Sequence, residues 1–245
     1  MESLALRGKT ALVTGAARRV GRVLALALAE AGADVVLTYR TSQTEAEELT
    51  RQIAALGRRS AALACDVRTE ASVCATLVHL KERFGQLDLL VNNAAIFETA
   101  PLDQLSLAQW DAAFETNTRG PFLMAREALP LLKAAHGRIV NIGSLGGLRP
   151  WATHAHYCAS KAALHMLTEA MAKAFAPEIS VNCVAPGFVD LPEERAQIKT
   201  HFAEKTPMRR LARPEEIAEA VLFFATGPKF ITGQTLAVDG GLGLL

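Results

Sequence analysis

The sequence predicts an α/β chain: one doubly wound parallel sheet of about seven strands, with helices on both faces. Three observations predict it. Short apolar runs alternate with longer helical patterns through most of the 245 residues, which is the succession of right-handed strand–helix–strand units. Half of the residues are hydrophobic but only 6% are aromatic, with alanine, leucine and valine dominant, as suits strands buried on both faces. Finally, a glycine turn, Thr14-Gly15-Ala16-Ala17-Arg18-Arg19-Val20-Gly21, joins the run Ala11-Leu12-Val13 to the alanine- and leucine-rich segment Val23 to Ala31.

The expected strands are the short apolar runs Thr10–Thr14, Val35–Tyr39, Ala61–Cys65, Leu87–Val91, Arg138–Ile142, Ser180–Val184 and Thr235–Val238. The expected helices fill the gaps: Val20–Ala31, Thr44–Leu56, Glu70–Phe84, Leu107–Lys133, His154–Ala176 and Pro214–Ala225. There is no repeat, linker or low-complexity segment, so residues 1–245 read as a single domain. Asp190 to Arg213 breaks the alternation. It is polar and carries Pro192 and Pro207, and reads as an irregular lid over a site.

Composition removes several function classes. The formal net charge is +1 and no basic block exists, so nucleic acid is not an expected partner. The arginine pairs at 18–19, 58–59 and 209–210 read as local features. No apolar run approaches the ~20 residues needed to span a bilayer, and no membrane partner is expected. Met1-Glu2-Ser3-Leu4 lacks a basic, then apolar, leader pattern, so the expected location is cytoplasmic. Cys65, Cys74, Cys158 and Cys183 are scattered without a C-x-x-C pair. They read as buried thiols in a reducing compartment rather than a disulfide or zinc set, and no metal is expected.

In parallel sheets of this kind, ligands bind beyond the carboxyl ends of the strands. Glycine, asparagine, serine and aspartate concentrate there, in Gly15–Gly21, Arg40–Ser42, Asp66-Val67, Asn92–Phe97, Gly143–Gly147 and Ala185–Val189. Strand, glycine turn and helix present backbone N–H groups to a dinucleotide pyrophosphate, the Rossmann-type arrangement. A strict G-x-G-x-x-G is absent, and Arg19 stands where a third glycine is expected. NAD sites place an acid at the end of the second strand. Here that strand ends Tyr39-Arg40-Thr41-Ser42; Asp34 lies at the wrong end and Glu45 in the next helix. A cation and hydroxyls suit a 2′-phosphate, and Arg18 is able to approach it. The expected cofactor is therefore NADP(H) rather than NAD(H).

Tyr157 and Lys161 are four apart in a predicted helix, hence on one face. A free tyrosine titrates near ~10, and bringing it to ~7 takes about 4 kcal/mol. A neighbouring ammonium in a partly dry cleft, with a bound nicotinamide cation, is expected to contribute. Ser144 follows the fifth strand and is placed to hydrogen-bond a substrate oxygen; a plain loop serine is the alternative. Asn117 sits inside Leu107–Lys133, an unfavoured place for asparagine. A kink or a bound water explains it, as does simple exposure.

Together these pieces resemble the short-chain dehydrogenase/reductase family over essentially the whole chain. The motifs are T-G-x-x-x-x-x-G at 14–21, Cys65-Asp66-Val67, Asn92-Asn93-Ala94-Ala95, Asn117, Ser144, Tyr157 with Lys161, Pro186-Gly187, and Thr232-Gly233-Gln234 with Val238-Asp239-Gly240-Gly241. The resemblance implies that Tyr157 is the proton donor in reduction and that Lys161 binds the nicotinamide ribose and depresses the tyrosine pKa. It implies that Ser144 orients the carbonyl and Asn117 completes a water relay. Asp66 and Val67 would meet the adenine, Asn93 with Ala94 and Ala95 the adenosine ribose side, and Pro186, Gly187 and Val189 the nicotinamide side.

The departures bear on substrate. Arg19 and Ala95 replace glycines of the family pattern, and Leu191 replaces a common threonine. Arg19, Tyr39-Arg40-Thr41-Ser42 and Phe97 resemble the pteridine reductase branch, where the aromatic residue stacks a pterin and Arg19 would face both pyrophosphate and substrate. That branch usually has aspartate in place of Ser144, which instead resembles 3-oxoacyl-carrier-protein reductases. The expected activity is reduction of a carbonyl by hydride transfer. Pterin reduction is the alternative, and an inactive NADP(H)-sensing protein is an alternative of another class. The family also implies a homodimer or homotetramer through the two long helices.

Overall fold

The computed structural model describes residues 4–244. Seven parallel strands form one sheet in the order β3-β2-β1-β4-β5-β6-β7. They are β1 (Thr10–Val13), β2 (Asp34–Tyr39), β3 (Ser60–Ala64), β4 (Leu89–Asn92), β5 (Arg138–Ile142), β6 (Ser180–Pro186) and β7 (Thr235–Val238). The strand order reverses direction beside β1, between the β1–β2 and β1–β4 pairings. Such a switch point opens a crevice at the carboxyl ends of the strands.

Strand residues alternate between two cores, as a period of two requires. Val13, Val35, Leu37, Val91 and Val140 enter one core, under α1 (Arg19–Glu30), α2 (Gln43–Ala55) and α8 (Pro214–Thr226). Leu12, Val36, Leu90, Ile139 and Val181 enter the other. That side is covered by α3 (Glu70–Phe84), α5 (Gly120–Ala135) and α6 (Ala155–Phe175). The expected fold class and all seven strands are present, with bounds shifted by a few residues.

Two expectations change. The helix expected over Leu107–Lys133 is three pieces: α4 (Leu107–Phe114), a π turn (Glu115–Arg119) and α5. Pro121 has no N–H for the Asn117 carbonyl that a regular helix would pair with it. The ladder widens instead, and the Gly120 N–H donates to the Glu115 carbonyl. The Asp190–Arg213 segment is not wholly irregular. It contains α7 (Ala196–Lys205), with Phe202 stacked on Phe188 at 4.2 Å. Lys199 pairs with Asp190 at 2.6 Å, and Val189 bridges Ala212. Among the described residues no helix is long and apolar enough to cross a membrane.

Candidate active site

A cleft of about 450 Å³ runs along the carboxyl ends of the strands. It is lined by every expected site residue except Asn117. At one end lie Gly15, Arg18, Arg19, Val20 and Gly21, then Tyr39, Arg40, Thr41 and Ser42 after β2, and Asp66 with Val67 after β3. Asn93, Ala94, Ala95 and Phe97 follow β4. Ser144, Tyr157 and Lys161 form the far wall, with Pro186, Gly187 and Val189 after β6.

Hydrogen bonds fix the glycine turn through its carbonyls. Asn93 donates through Nδ2 to the carbonyls of Thr14 (2.9 Å) and Gly15 (3.1 Å). The Thr14 hydroxyl accepts the N–H groups of Asn93 and Ala94, each at 3.0 Å. Gly15 has φ +61, and a Cβ there would lie 2.9 Å from the Ala94 Cα, so no larger residue fits. A Cβ on Gly21 would lie 2.5 Å from Asn93 Nδ2 and 2.6 Å from the Gly15 carbonyl oxygen. The first turn of α1 carries no acid, and Arg18 makes no side-chain cap. The first amides of the helix are thus left without a side-chain cap, and Arg19, Val20 and Gly21, which carry them, line the cleft. This cradle fits a pyrophosphate.

Arg19 departs from its expected posture. Its backbone adopts φ +55, a left-handed conformation that glycine takes more readily. Its guanidinium turns toward the 190–213 segment and pairs with Glu193 at 2.8 Å and Glu194 at 3.5 Å. At the β3 end, Asp66 is engaged by Arg68, with contacts of 2.6 to 3.1 Å. Arg68, with Arg40 adding a weaker pull, holds the Asp66 carboxyl below its ordinary range.

At the other end, Tyr157 and Lys161 share one face of α6, both buried. The Lys161 ammonium donates to the Ile142 carbonyl at 2.7 Å and sits 5.9 Å from the centre of the Tyr157 ring. Burial drives Lys161 down to about 8. Burial pushes the Tyr157 phenol up to about 12, and the neighbouring Ser144 hydroxyl is the group pulling it down. The expected depression by Lys161 does not enter: desolvation dominates the Tyr157 shift, and the ammonium is turned to a backbone carbonyl.

Asn117 stands behind the cleft wall, fully buried in the π turn. Its Oδ1 accepts the Ile96 N–H at 2.9 Å, and its Nδ2 donates to the Ile96 carbonyl (3.1 Å) and the Ser160 hydroxyl (3.0 Å). The side chain thus spends its hydrogen bonds tying the β4 loop to α6.

Phe97 does line the cleft and is 49% exposed. Its ring stacks on His154 at 4.6 Å and meets the Tyr157 ring edge-on at 4.8 Å. Both His154 nitrogens lie 3.0 Å from a threonine hydroxyl, Thr99 and Thr153. Trp151, Phe188 and Leu191 also line this end. Sequence reasoning passed over Trp151, although it is one of only two tryptophans and lies six residues before Tyr157.

Comparison with known proteins identifies the family. The family model described as enoyl-(acyl carrier protein) reductase matches residues 15–243. The 3-oxoacyl-[acyl-carrier-protein] reductase FabG of Pseudomonas aeruginosa is 38% identical, over 98% of this chain and 99% of that one. A gluconate 5-dehydrogenase from Burkholderia cenocepacia, solved with NADP and tartrate, superimposes with a TM-score of 0.92 at 34% identity, covering 99% of this chain and 98% of that one. A short-chain dehydrogenase/reductase from Serratia marcescens gives a TM-score of 0.93 at 34% identity, over 98% and 99%. With a glycine-turn cradle at one end of the cleft and the Ser144, Tyr157 and Lys161 set at the other, this chain belongs to the short-chain dehydrogenase/reductase family and is an oxidoreductase.

Proposed function

We propose that the protein is an NADP(H)-dependent reductase that converts a ketone carbonyl, of the 3-oxoacyl kind or similar, to an alcohol. The observation that carries this reading is the meeting of Ser144, Tyr157 and Lys161 in the same cleft as the acid-free Arg40-Thr41-Ser42 end of β2. The Pseudomonas relative, a 3-oxoacyl reductase, and the Burkholderia neighbour, solved with NADP, support it.

The residues divide the work. The amides of the α1 start and the carbonyl-tied glycine turn would hold the pyrophosphate, while Arg40, Thr41 and Ser42 would meet the 2′-phosphate. When bound, the nicotinamide supplies a hydride to the carbonyl carbon. Tyr157, pushed up to about 12, keeps its proton at neutral pH and donates it to the carbonyl oxygen as charge develops there. The Ser144 hydroxyl holds the same oxygen. Lys161, which lines the cleft one turn along α6 from Tyr157, would hold the nicotinamide ribose.

Phe97 keeps the pterin reading as a second possibility. Its half-exposed ring, backed by His154, is a plate on which a planar substrate would stack beside Tyr157. Ser144 and the pairing of Arg19 with Glu193 and Glu194 weigh toward an ordinary ketone. The outward face of α5 and α6 bears Phe122 (42% exposed) and Met166 (63% exposed), which supports a dimer or tetramer through these helices.

NADPH oxidation with a 3-oxoacyl thioester and with a quinonoid dihydropterin tests the reading. Tyr157→Phe is expected to cut turnover by about 10²- to 10⁴-fold with NADPH affinity intact; equal turnover overturns the assignment. Binding of NADPH without consumption by either substrate would replace it with the sensing-protein reading. Arg40→Ala is expected to weaken NADPH binding by about 10- to 150-fold, through loss of a charge-assisted contact, while leaving NADH binding unchanged.

A further inference from the structure

We propose that His165 is a positioning residue for this reaction: by accepting the Ser144 backbone N–H, it fixes the loop that presents the Ser144 hydroxyl. The inference rests on the reductase reading of the site.

Tyr157, Lys161 and His165 are spaced four apart on α6, and all three are buried. His165 thus lies one turn beyond the lysine, beneath the Gly143–Gly147 loop. The Ser144 N–H donates to its Nε2 at 3.4 Å. Two glycines clear the space for the ring. A Cβ on Gly143 would lie 2.3 Å from His165 Nε2, and one on Gly147 would lie 2.7 Å from Cε1. Three other amides of the loop have partners: Gly143 donates to the Val184 carbonyl, Gly146 to the Ser144 hydroxyl and Gly147 to the Ser144 carbonyl. His165 supplies the acceptor for Ser144 itself.

The imidazole is suited to accept. Burial, with the nearby Lys161 charge, pushes it down to about 4, so it is neutral at pH 7. With Nε2 as acceptor the proton sits on Nδ1, which is buried without a hydrogen-bond partner. An aliphatic side chain would fill the same space without a stranded nitrogen, so packing alone does not account for a histidine. Ser144 is also the group that draws the Tyr157 phenol down. A shift of its loop therefore reaches the proton donor as well as the substrate oxygen.

The test compares His165→Leu, which fills the space without an acceptor, with His165→Gln, which keeps one. With an acetoacetyl thioester as the carbonyl probe, His165→Leu is expected to lower kcat about tenfold, with carbonyl KM and NADPH affinity within about twofold. His165→Gln is expected to recover much of the loss. Hydrogen exchange in the full chain gives a second reading: the Ser144 amide stays protected in the wild type and in His165→Gln, and exchanges faster in His165→Leu. Unchanged kcat and exchange in His165→Leu overturn the proposal, as does equal damage in both variants. A wild-type protein that oxidises no NADPH with any carbonyl instead removes the reductase reading, and with it the reaction that His165 would serve.

Discussion

The turns after β1 and after β5 look alike in the sequence. Each is a short, glycine-bearing passage from the carboxyl end of a parallel strand toward a helix. Their backbones are handled differently at the helix-ward end. In the first, Asn93 ties down the carbonyls of Thr14 and Gly15 and Thr38 takes the amides of Gly15 and Ala16, while the uncapped start of α1 lies along the cleft wall with its first amides left over. In the second, the amides of Gly143, Ser144, Gly146 and Gly147 are all occupied, and what faces the cleft is a hydroxyl. A turn that offers N–H groups suits an anion. A turn that spends them holds one side chain still, which is what a group contacting a reacting oxygen needs.

That contrast makes separable predictions. The largest effect is expected from Ser144→Ala, which should lower kcat by about 10²- to 10³-fold while NADPH affinity stays within a few-fold. Steady-state kinetics with fluorescence titration of NADPH reads both. Gly21→Ala should do the reverse. Its added methyl would press on Asn93 Nδ2 and the Gly15 carbonyl, weakening NADPH binding by about 5- to 150-fold, with kcat largely recovered at saturation. If the two variants exchange these signatures, the division between a binding turn and a catalytic turn is wrong. The smallest effect concerns Glu193→Gln. Its pair with Arg19 is half exposed on both sides, so NADPH affinity should shift less than about fivefold, and the shift should vanish at high salt. A larger, salt-resistant change would show that Arg19 and the 190–213 segment belong to the binding turn itself.

Much of the site was readable before any fold was known, because its signals are local. Tyr157 and Lys161 share a face by helical spacing alone. Gly15 and Gly21 mark a turn by their place between an apolar run and an alanine-rich helix. The lack of an acid after β2 needed only the end of that strand. The interruption at Asn117 was also legible, in Pro121 four residues on, but the long apolar pattern around it masked the missing amide. α7 was hidden for a different reason: it is short, polar and largely exposed, so it has no strong apolar stripe to reveal it.

The chain's periodicity, turn chemistry and motif spacing were enough to establish a doubly wound parallel sheet, a glycine cradle and a tyrosine–lysine pair. Each is encoded within a few residues of sequence. The tertiary structure alone decided that Arg19 reaches Glu193 and Glu194, and that Asn117 anchors the wall instead of lining it. It also decided that burial lifts Tyr157 while Lys161 turns to Ile142, and that His165 lies beneath Ser144. These outcomes depend on which groups meet across the sheet and on how much water they lose, and spacing along the chain carries neither distance nor desolvation.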